Sequence, residues 1–133
     1  MSGTAGLIHH IEIYVSDLQR SAAFWGWFLG ELGYRLHQQW NEGASWKLGH
    51  AYLVLVQAKK AYMDVPYHRK RVGLNHLAFH ASSRRQVDEM TVKLRERNVR
   101  ILYEDRHPHA GGDGTYALFF EDPDRIKVEL VAP

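Results

Sequence analysis

The stretch His10-Ile11-Glu12-Ile13-Tyr14-Val15-Ser16 returns in related form as His76-Leu77-Ala78-Phe79-His80-Ala81-Ser82 in the second half of the chain. Both copies begin with a histidine and read as a β-strand, and both are followed by a segment whose apolar residues have helical spacing. The chain is therefore predicted to contain two copies of one small unit, each with a histidine at the head of its first strand.

Each copy continues with the same order of elements, β-α-β-β-β. Ser16 and Asp17 in the first copy, and Ser82 or Ser83 in the second, are typical helix N-caps. The predicted elements are strand 7–15, helix 18–32 and strands 34–39, 44–48 and 52–57, followed in the second copy by strand 74–81, a helix ending near Arg97, and strands 99–104, 116–120 and 126–131.

A polar, irregular segment, 58–72, is predicted to link the two modules, 7–57 and 73–132. A repeat this short cannot cover its own sheet face, so the modules are expected to pack together as a single domain, 1–133. The predicted fold class is α+β.

Composition excludes several classes of protein. The formal net charge is only +2 and the basic residues form short clusters, so no nucleic-acid partner is expected. The absence of cysteine rules out disulfide scaffolds and cysteine-ligated zinc, and fits a cytoplasmic protein. We find no signal peptide and no run of about 18 apolar residues, so neither secretion nor a membrane span is predicted.

His10, His76 and Glu129 are the candidate metal ligands. The two histidines hold equivalent positions in the two copies, and Glu129 is a carboxylate inside an otherwise apolar strand, which is costly unless it is paired or bound to a metal. Two histidines and one carboxylate suit a mononuclear site with open positions for substrate. The alternative is that each histidine forms an ordinary hydrogen bond at a strand end.

Further side chains are predicted to surround this site. Strand alternation places Glu12 and Tyr14 on the face of His10, and His80 on the face of His76. His80 and Glu12 are the catalytic candidates, since an imidazole near such a metal can act as acid or base. The candidates for substrate contact are Tyr14, Trp46, Tyr103, Tyr116 and Glu42. The alternative for each aromatic residue is a wall or core residue, and for Glu42 a solvated surface residue.

Six stretches along the chain form a set of motifs: His10 to Leu18, Phe24-Trp25, Leu32-Gly33-Tyr34, Leu74 to Phe79, Phe120 to Asp124 and Val128-Glu129-Leu130. They resemble the motifs of the vicinal oxygen chelate superfamily, which includes glyoxalase I, extradiol dioxygenases, fosfomycin-resistance enzymes and bleomycin-binding proteins. The resemblance implies half-open mixed sheets that form a cup, usually a homodimer, and metal ligands at His10, His76 and Glu129. Modules pair across chains in many small relatives, which implies that His10 joins His76 and Glu129 of the partner chain.

The chain departs from particular branches of that superfamily. The fourth glutamate ligand of glyoxalase I would fall at Val54 or Leu55, and both are apolar. Glu12 stands at a position that resembles one occupied by threonine in the thiol-transferase branch, and the sequence ends four residues after Glu129. Glu42 resembles the general base of the epoxide-hydrolysing branch, although a solvated turn residue is the simpler interpretation.

The resemblance therefore predicts an enzyme that uses one divalent metal ion per site, with Fe, Mn, Ni and Zn not distinguished, on a small oxygen-bearing substrate. A dioxygenase-like reaction is the first hypothesis. The alternatives are a glyoxalase-like lyase or isomerase, a fosfomycin-resistance enzyme, and a metal-free binding protein of the bleomycin type.

Overall fold

The computed structural model describes residues 3–133, so Met1 and Ser2, at the start of the predicted domain and of the segment searched for a signal peptide, lie outside it. The described chain divides into two compact units, one ending at Pro66 and one spanning Tyr67–Pro133. The elements of the first are β1 His10–Val15, α1 Leu18–Glu31, β2 Arg35–Trp40, β3 Gly43–Leu48 and β4 Ala51–Gln57, followed by a 3₁₀ turn at Lys60–Tyr62; those of the second are β5 His76–His80, α2 Arg84–Glu96, β6 Ala117–Glu121 and β7 Lys127–Val131.

The first unit is an open four-stranded mixed sheet with the order β1-β4-β3-β2. Strand β1 runs parallel to β4, whereas the β2–β3 and β3–β4 pairs are antiparallel. The predicted N-cap is confirmed, because the Asp17 carboxylate accepts a hydrogen bond from the backbone N–H of Arg20 at 3.1 Å. Such a cap satisfies one of the free donors of the first helical turn.

Helix α1 covers one face of this sheet. Its Trp25, Phe28 and Leu29 are fully buried, together with Leu55 of β4. The predicted alternation along β1 is confirmed, since Ile11, Ile13 and Val15 are less exposed than the residues between them. The opposite face therefore carries His10, Glu12 and Tyr14.

Gly43 at the start of β3 lies where a side chain would not fit. A Cβ atom there would meet the Trp40 ring and lie 2.7 Å from the carbonyl oxygen of Leu55, which is fixed in the sheet. We expect Gly43→Ala to lower the free energy of unfolding by about 1–3 kcal/mol, the usual cost of overpacking. Urea denaturation measures the change in the free energy of unfolding.

Gly30 provides the matched control, because a Cβ at this exposed position of α1 would meet nothing within 4 Å. Gly30→Ala should stabilise the protein by about 0.5–1 kcal/mol through its higher helix propensity. Equal stability of the two variants would contradict the packing described for Gly43.

The second unit is an open three-stranded mixed sheet with the order β5-β7-β6, in which β5 and β7 are parallel and β6 and β7 antiparallel. Ser83 caps α2, accepting from the backbone N–H of Gln86 at 3.1 Å. Its core consists of residues from α2 and from the covered face of the sheet, all with side chains less than 2% exposed: Val87, Met90, Leu94, Leu118, Phe120, Val128 and Leu130.

The predicted strand over 99–104 is wrong. In place of a strand, this segment forms an isolated bridge between Ile101 and Phe120. Nearby, the N–H of Leu102 donates to the carbonyl of Phe119, and the N–H of Glu121 donates to the carbonyl of Arg100. Tyr103 has a φ of 57°, which takes the chain out of the extended region, and its carbonyl accepts from the N–H groups of Arg106 and His107. The chain therefore turns where the apolar pattern predicted a strand.

Both modules confirm the predicted α+β class, with helices on one face of small open sheets. Over residues 3–133, no helix combines the length and the apolar character needed to cross a lipid bilayer.

Candidate metal centre

His76 and Glu129 meet on one face of the second sheet. In the parallel register of β5 and β7, His76 pairs with Lys127 and Ala78 with Glu129, so the two residues are diagonal neighbours with side chains on the same side. Nε2 of His76 lies 3.2 Å from Oε1 of Glu129. Their side chains are 32% and 14% exposed, so the pair is partly covered but open to a ligand.

The contact on the other side of the imidazole orients this pair. Nδ1 of His76 lies 2.7 Å from Oδ1 of Asn75, which leaves Nε2 directed toward Glu129. An imidazole nitrogen and a carboxylate oxygen are both ligand atoms for divalent ions, and a metal-binding histidine usually has its second nitrogen hydrogen-bonded to an oxygen. These residues fit a divalent ion.

His10 belongs to the first unit, at the start of β1. Its ring stacks on Tyr52 with centroids 4.6 Å apart and planes within 2°. Its Nδ1 lies 2.9 Å from Nδ1 of the neighbouring His9. No group of three or more His, Asp or Glu side chains suited to a metal ion is found within residues 3–133. The structure thus brings together two of the three predicted ligands.

Three side chains surround His76 on its sheet face. The Phe119 ring is 6.1 Å from the imidazole in an edge-on arrangement, and Tyr103 packs edge-on against Phe119 at 5.5 Å. Lys127 donates a hydrogen bond to the phenolic oxygen of Tyr103 at 2.9 Å. This hydrogen bond holds the pKa of the Tyr103 phenol below its ordinary value of 10.0.

The glycine-rich loop that follows Tyr103 approaches the same carboxylate. A Cβ atom at Gly111 would lie 3.8 Å from Oε2 of Glu129 and 3.0 Å from the methyl group of Thr115. A side chain at position 111 would therefore crowd the loop beside the candidate ligand, and glycine allows the close approach.

Three predicted site residues lie on the strands that carry the histidines, and a fourth, Glu42, lies elsewhere in the first unit. His80 is exposed at the end of β5, on the face of His76. Glu12 and Tyr14 are exposed on the face of His10. Glu42 is an exposed residue of the turn between β2 and β3, where its backbone carbonyl accepts from Gln57 at 2.7 Å.

Trp46 and Tyr116 were predicted to contact substrate, but the structure places both on helix-covered sides of their sheets. Trp46 pairs with Leu53, which faces away from His10, and its indole ring lies 3.4 Å from the Cβ position of Gly26 in α1. Tyr116 donates a hydrogen bond to Asp88 of α2, which raises the pKa of its phenol. For Trp46 the cause is strand alternation, which directs successive residues to opposite faces. Tyr116 directly precedes β6, whose first residue is Ala117.

Sequence reasoning missed Asn75, Phe119 and Lys127. The signal for Lys127 and Phe119 was present in the alternation of the last two strands. Lys127 lies on the same face of β7 as Glu129, and Phe119 of β6 pairs with Glu129 and lies on that face too, opposite to Leu118 and Phe120. Asn75 precedes the histidine directly, but a hydrogen bond between adjacent side chains depends on rotamers that a sequence pattern does not specify.

Comparisons with known proteins identify the family of the chain. The family model of the Glyoxalase/Bleomycin resistance protein/Dioxygenase superfamily matches residues 7–130. The chain is 66% identical to the uncharacterised protein YqjT of Bacillus subtilis strain 168 over 126 residues, covering 95% of this chain and 98% of that protein. It is 29% identical to the glutathione transferase FosA of Serratia marcescens over 123 residues, covering 92% of this chain and 78% of that protein.

A solved structure extends the match to three dimensions. The crystal structure of a candidate glyoxalase from Bacillus halodurans superposes with a TM-score of 0.96 at 59% identity, covering 98% of each chain. The matched family model spans both modules. The chain therefore belongs to the glyoxalase/bleomycin resistance protein/dioxygenase superfamily.

Proposed function

We propose that the protein is a divalent-metal-dependent enzyme that acts on a small oxygen-bearing substrate, with His76, Glu129 and His10 as the metal ligands. The observation that carries the proposal is the His76–Glu129 pair, whose nitrogen and oxygen are 3.2 Å apart while Asn75 holds the other ring nitrogen. In the alternative, a metal-free binding protein, the same two side chains form an ordinary hydrogen bond or ion pair, so metal content distinguishes the two.

Each residue has a chemical task in this proposal. A bound divalent ion supplies Lewis acidity, which polarises the substrate oxygens and stabilises developing negative charge. Asn75 orients the His76 ring so that Nε2 points at the site, and Phe119 fixes the ring from its edge. His80, exposed on the same face of β5, is placed to accept or donate a proton.

The donor set fits a dioxygenase-like reaction, because two histidines and one carboxylate are the ligands of many non-haem iron oxygenases. The fourth glutamate ligand of glyoxalase I would fall at Val54 or Leu55 of β4, and both are buried aliphatic side chains; Val54, which pairs with Glu12, is only 3% exposed. Ring cleavage of a catechol is the first reaction to test.

A second candidate is addition of a thiol to an epoxide, as in the fosfomycin-resistance branch. It is favoured by one observation, the 29% identity to a glutathione transferase over 92% of this chain. It would use the same metal ligands, and Glu12 is the departure that weighs against it. Oxygen uptake with catechols and loss of glutathione with an epoxide distinguish the two reactions.

The metal content of protein purified without an affinity tag or chelator tests the proposal. We expect about one Fe, Mn, Ni or Zn per chain in the wild type and almost none in His76→Ala, because the remaining donors cannot hold the ion alone. His50→Ala, at an exposed histidine in the turn between β3 and β4, is the matched control and should retain the metal. Metal-free wild type that also takes up none of these ions from solution would refute the proposal.

We further propose a homodimer, and mixing of variants decides which chain supplies His10. A heterodimer of His10→Ala and Glu129→Ala chains contains one intact set of ligands if each site combines His10 of one chain with His76 and Glu129 of its partner. It contains none if all three ligands come from one chain. Metal content of the mixed dimer after refolding together therefore measures the arrangement.

A further inference from the structure

Lys127 lies beside the candidate metal ligands on the same sheet face. It is the first residue of β7, pairs with His76 in the parallel register and precedes Glu129 by two positions. Neighbouring strands are about 4.8 Å apart. The ammonium group therefore lies within reach of a small molecule that also contacts His76 and Glu129.

Aromatic groups hold the Lys127 ammonium in place. Its Nζ lies 4.9 Å from the ring centroid of Tyr103 and 5.1 Å from that of Phe119, distances at which a cation is attracted to the ring face. It also donates to the Tyr103 hydroxyl at 2.9 Å. A side chain that is already ordered loses less entropy when a ligand binds.

The charge of Lys127 is not neutralised within the second unit. Glu121, its register partner on β6, instead binds Arg69 at 2.6 Å and Arg125 at 3.4 Å. Among the described residues of this unit, no carboxylate forms an ion pair with Lys127. An ammonium has three N–H donors and the phenol takes one, so two remain for a ligand.

We propose that Lys127 binds an anionic oxo group of the substrate, so that the site accepts small molecules carrying a carboxylate, phosphonate or phosphate a few bonds away from their metal-binding oxygens. This inference rests on the proposed metal-dependent function and specifies its substrate class. Lys127 is a specificity-determining residue in this scheme, and Phe119 and Tyr103 position it.

Matched pairs of 2-hydroxy acids test the inference on Mn²⁺-loaded protein. Lactate offers only the chelating hydroxyl and carboxylate, whereas malate adds a carboxylate and 3-phosphoglycerate adds a phosphate. Calorimetry should show that the wild type binds malate or 3-phosphoglycerate at least about ten-fold more tightly than lactate, as expected for one charge-assisted hydrogen bond. Tighter binding of malate would indicate a carboxylate as the anionic group, and tighter binding of 3-phosphoglycerate would indicate a phosphate.

The variants separate the charge of Lys127 from its bulk. Lys127→Met should abolish the preference while Mn²⁺ still binds, and Lys127→Arg should keep it. Lys93→Met, at an exposed lysine of α2, is the matched control and should behave as wild type. Persistence of the preference in Lys127→Met, or its absence from the wild type, would overturn the assignment without affecting the metal proposal.

Two further measurements test the Lys127 site if Lys127→Met does not fold or if the wild type binds no metal. If Lys127→Met does not fold, the wild-type preference must fall as salt is raised from 0.05 to 0.5 M, and a preference that is independent of salt would reject a charge contact. If the wild type takes up no metal, the proposed function fails, and inorganic phosphate is titrated into metal-free protein instead. Perturbed Phe119 ring resonances in the wild type alone would then support the Lys127 site, and unperturbed resonances would reject it.

Discussion

Replacing Glu129 with glutamine should lower divalent-metal affinity by at least about a hundredfold. The substitution keeps the shape of the side chain but removes the charge that lies 3.2 Å from Nε2 of His76. Residues that only orient a ligand cost 10- to 100-fold in affinity when changed, so loss of a ligand should cost no less. Competition with a fluorescent metal chelator measures the affinity directly.

A control variant separates this effect from a general change in charge. Glu89→Gln removes a carboxylate that is 56% exposed and pairs with Arg85 on α2, so its metal affinity should equal that of the wild type. Thermal unfolding provides an independent measure, since a metal at 100 times its Kd stabilises the folded state by about 2.7 kcal/mol. Wild type and Glu89→Gln should show this gain. An equal gain in Glu129→Gln would remove Glu129 from the ligand set.

Much of the local structure was predictable because it depends on short-range patterns. The helix predicted over 18–32 is observed at Leu18–Glu31, since both its cap at Asp17 and its apolar spacing are local signals. The polar face of β1, with His10, Glu12 and Tyr14, followed from alternation alone. Local rules of this kind hold wherever one face of an element is covered.

The errors arise where tertiary context overrides a local pattern. Residues 99–104 have the apolar spacing of a strand, but the left-handed backbone at Tyr103 ends the extended path and brings its ring onto Phe119. Trp46 could not be assigned to a face because the register of β3 against β4 depends on the pairing of both strands.

The candidate site was predictable in part for the same reason. The position of His76 at the head of β5, and of Glu129 in the last strand, marked them as candidate ligands. Their meeting requires the parallel β5–β7 register that joins the two ends of the module. Lys127 belongs to the same register, but a lysine on a strand face is ordinarily solvated. Only the two aromatic rings around its ammonium distinguish it.

Phe120→Ala should lower the free energy of unfolding by about 3–5 kcal/mol, the range for removing a buried aromatic ring. Phe120 is fully buried on the covered face of β6, together with Leu118 of the same strand and Leu130 of β7. The substitution leaves a cavity against β6, an edge strand of the three-stranded sheet, so there are few neighbouring strands to close around it. Urea denaturation followed by far-UV circular dichroism measures the loss in free energy of unfolding.

Val92→Ala provides the comparison, because Val92 is 55% exposed on α2 and should change stability by no more than about 0.5 kcal/mol. The adjacent Phe119 points to the opposite face, toward His76, so Phe120→Ala should leave metal affinity unchanged at temperatures where the protein remains folded. A stability loss below about 1 kcal/mol would show that Phe120 is not in the core. A fall in metal affinity in folded Phe120→Ala would show that the core and site faces of β6 are not independent, because the backbone of β6 would then have shifted Phe119 away from His76.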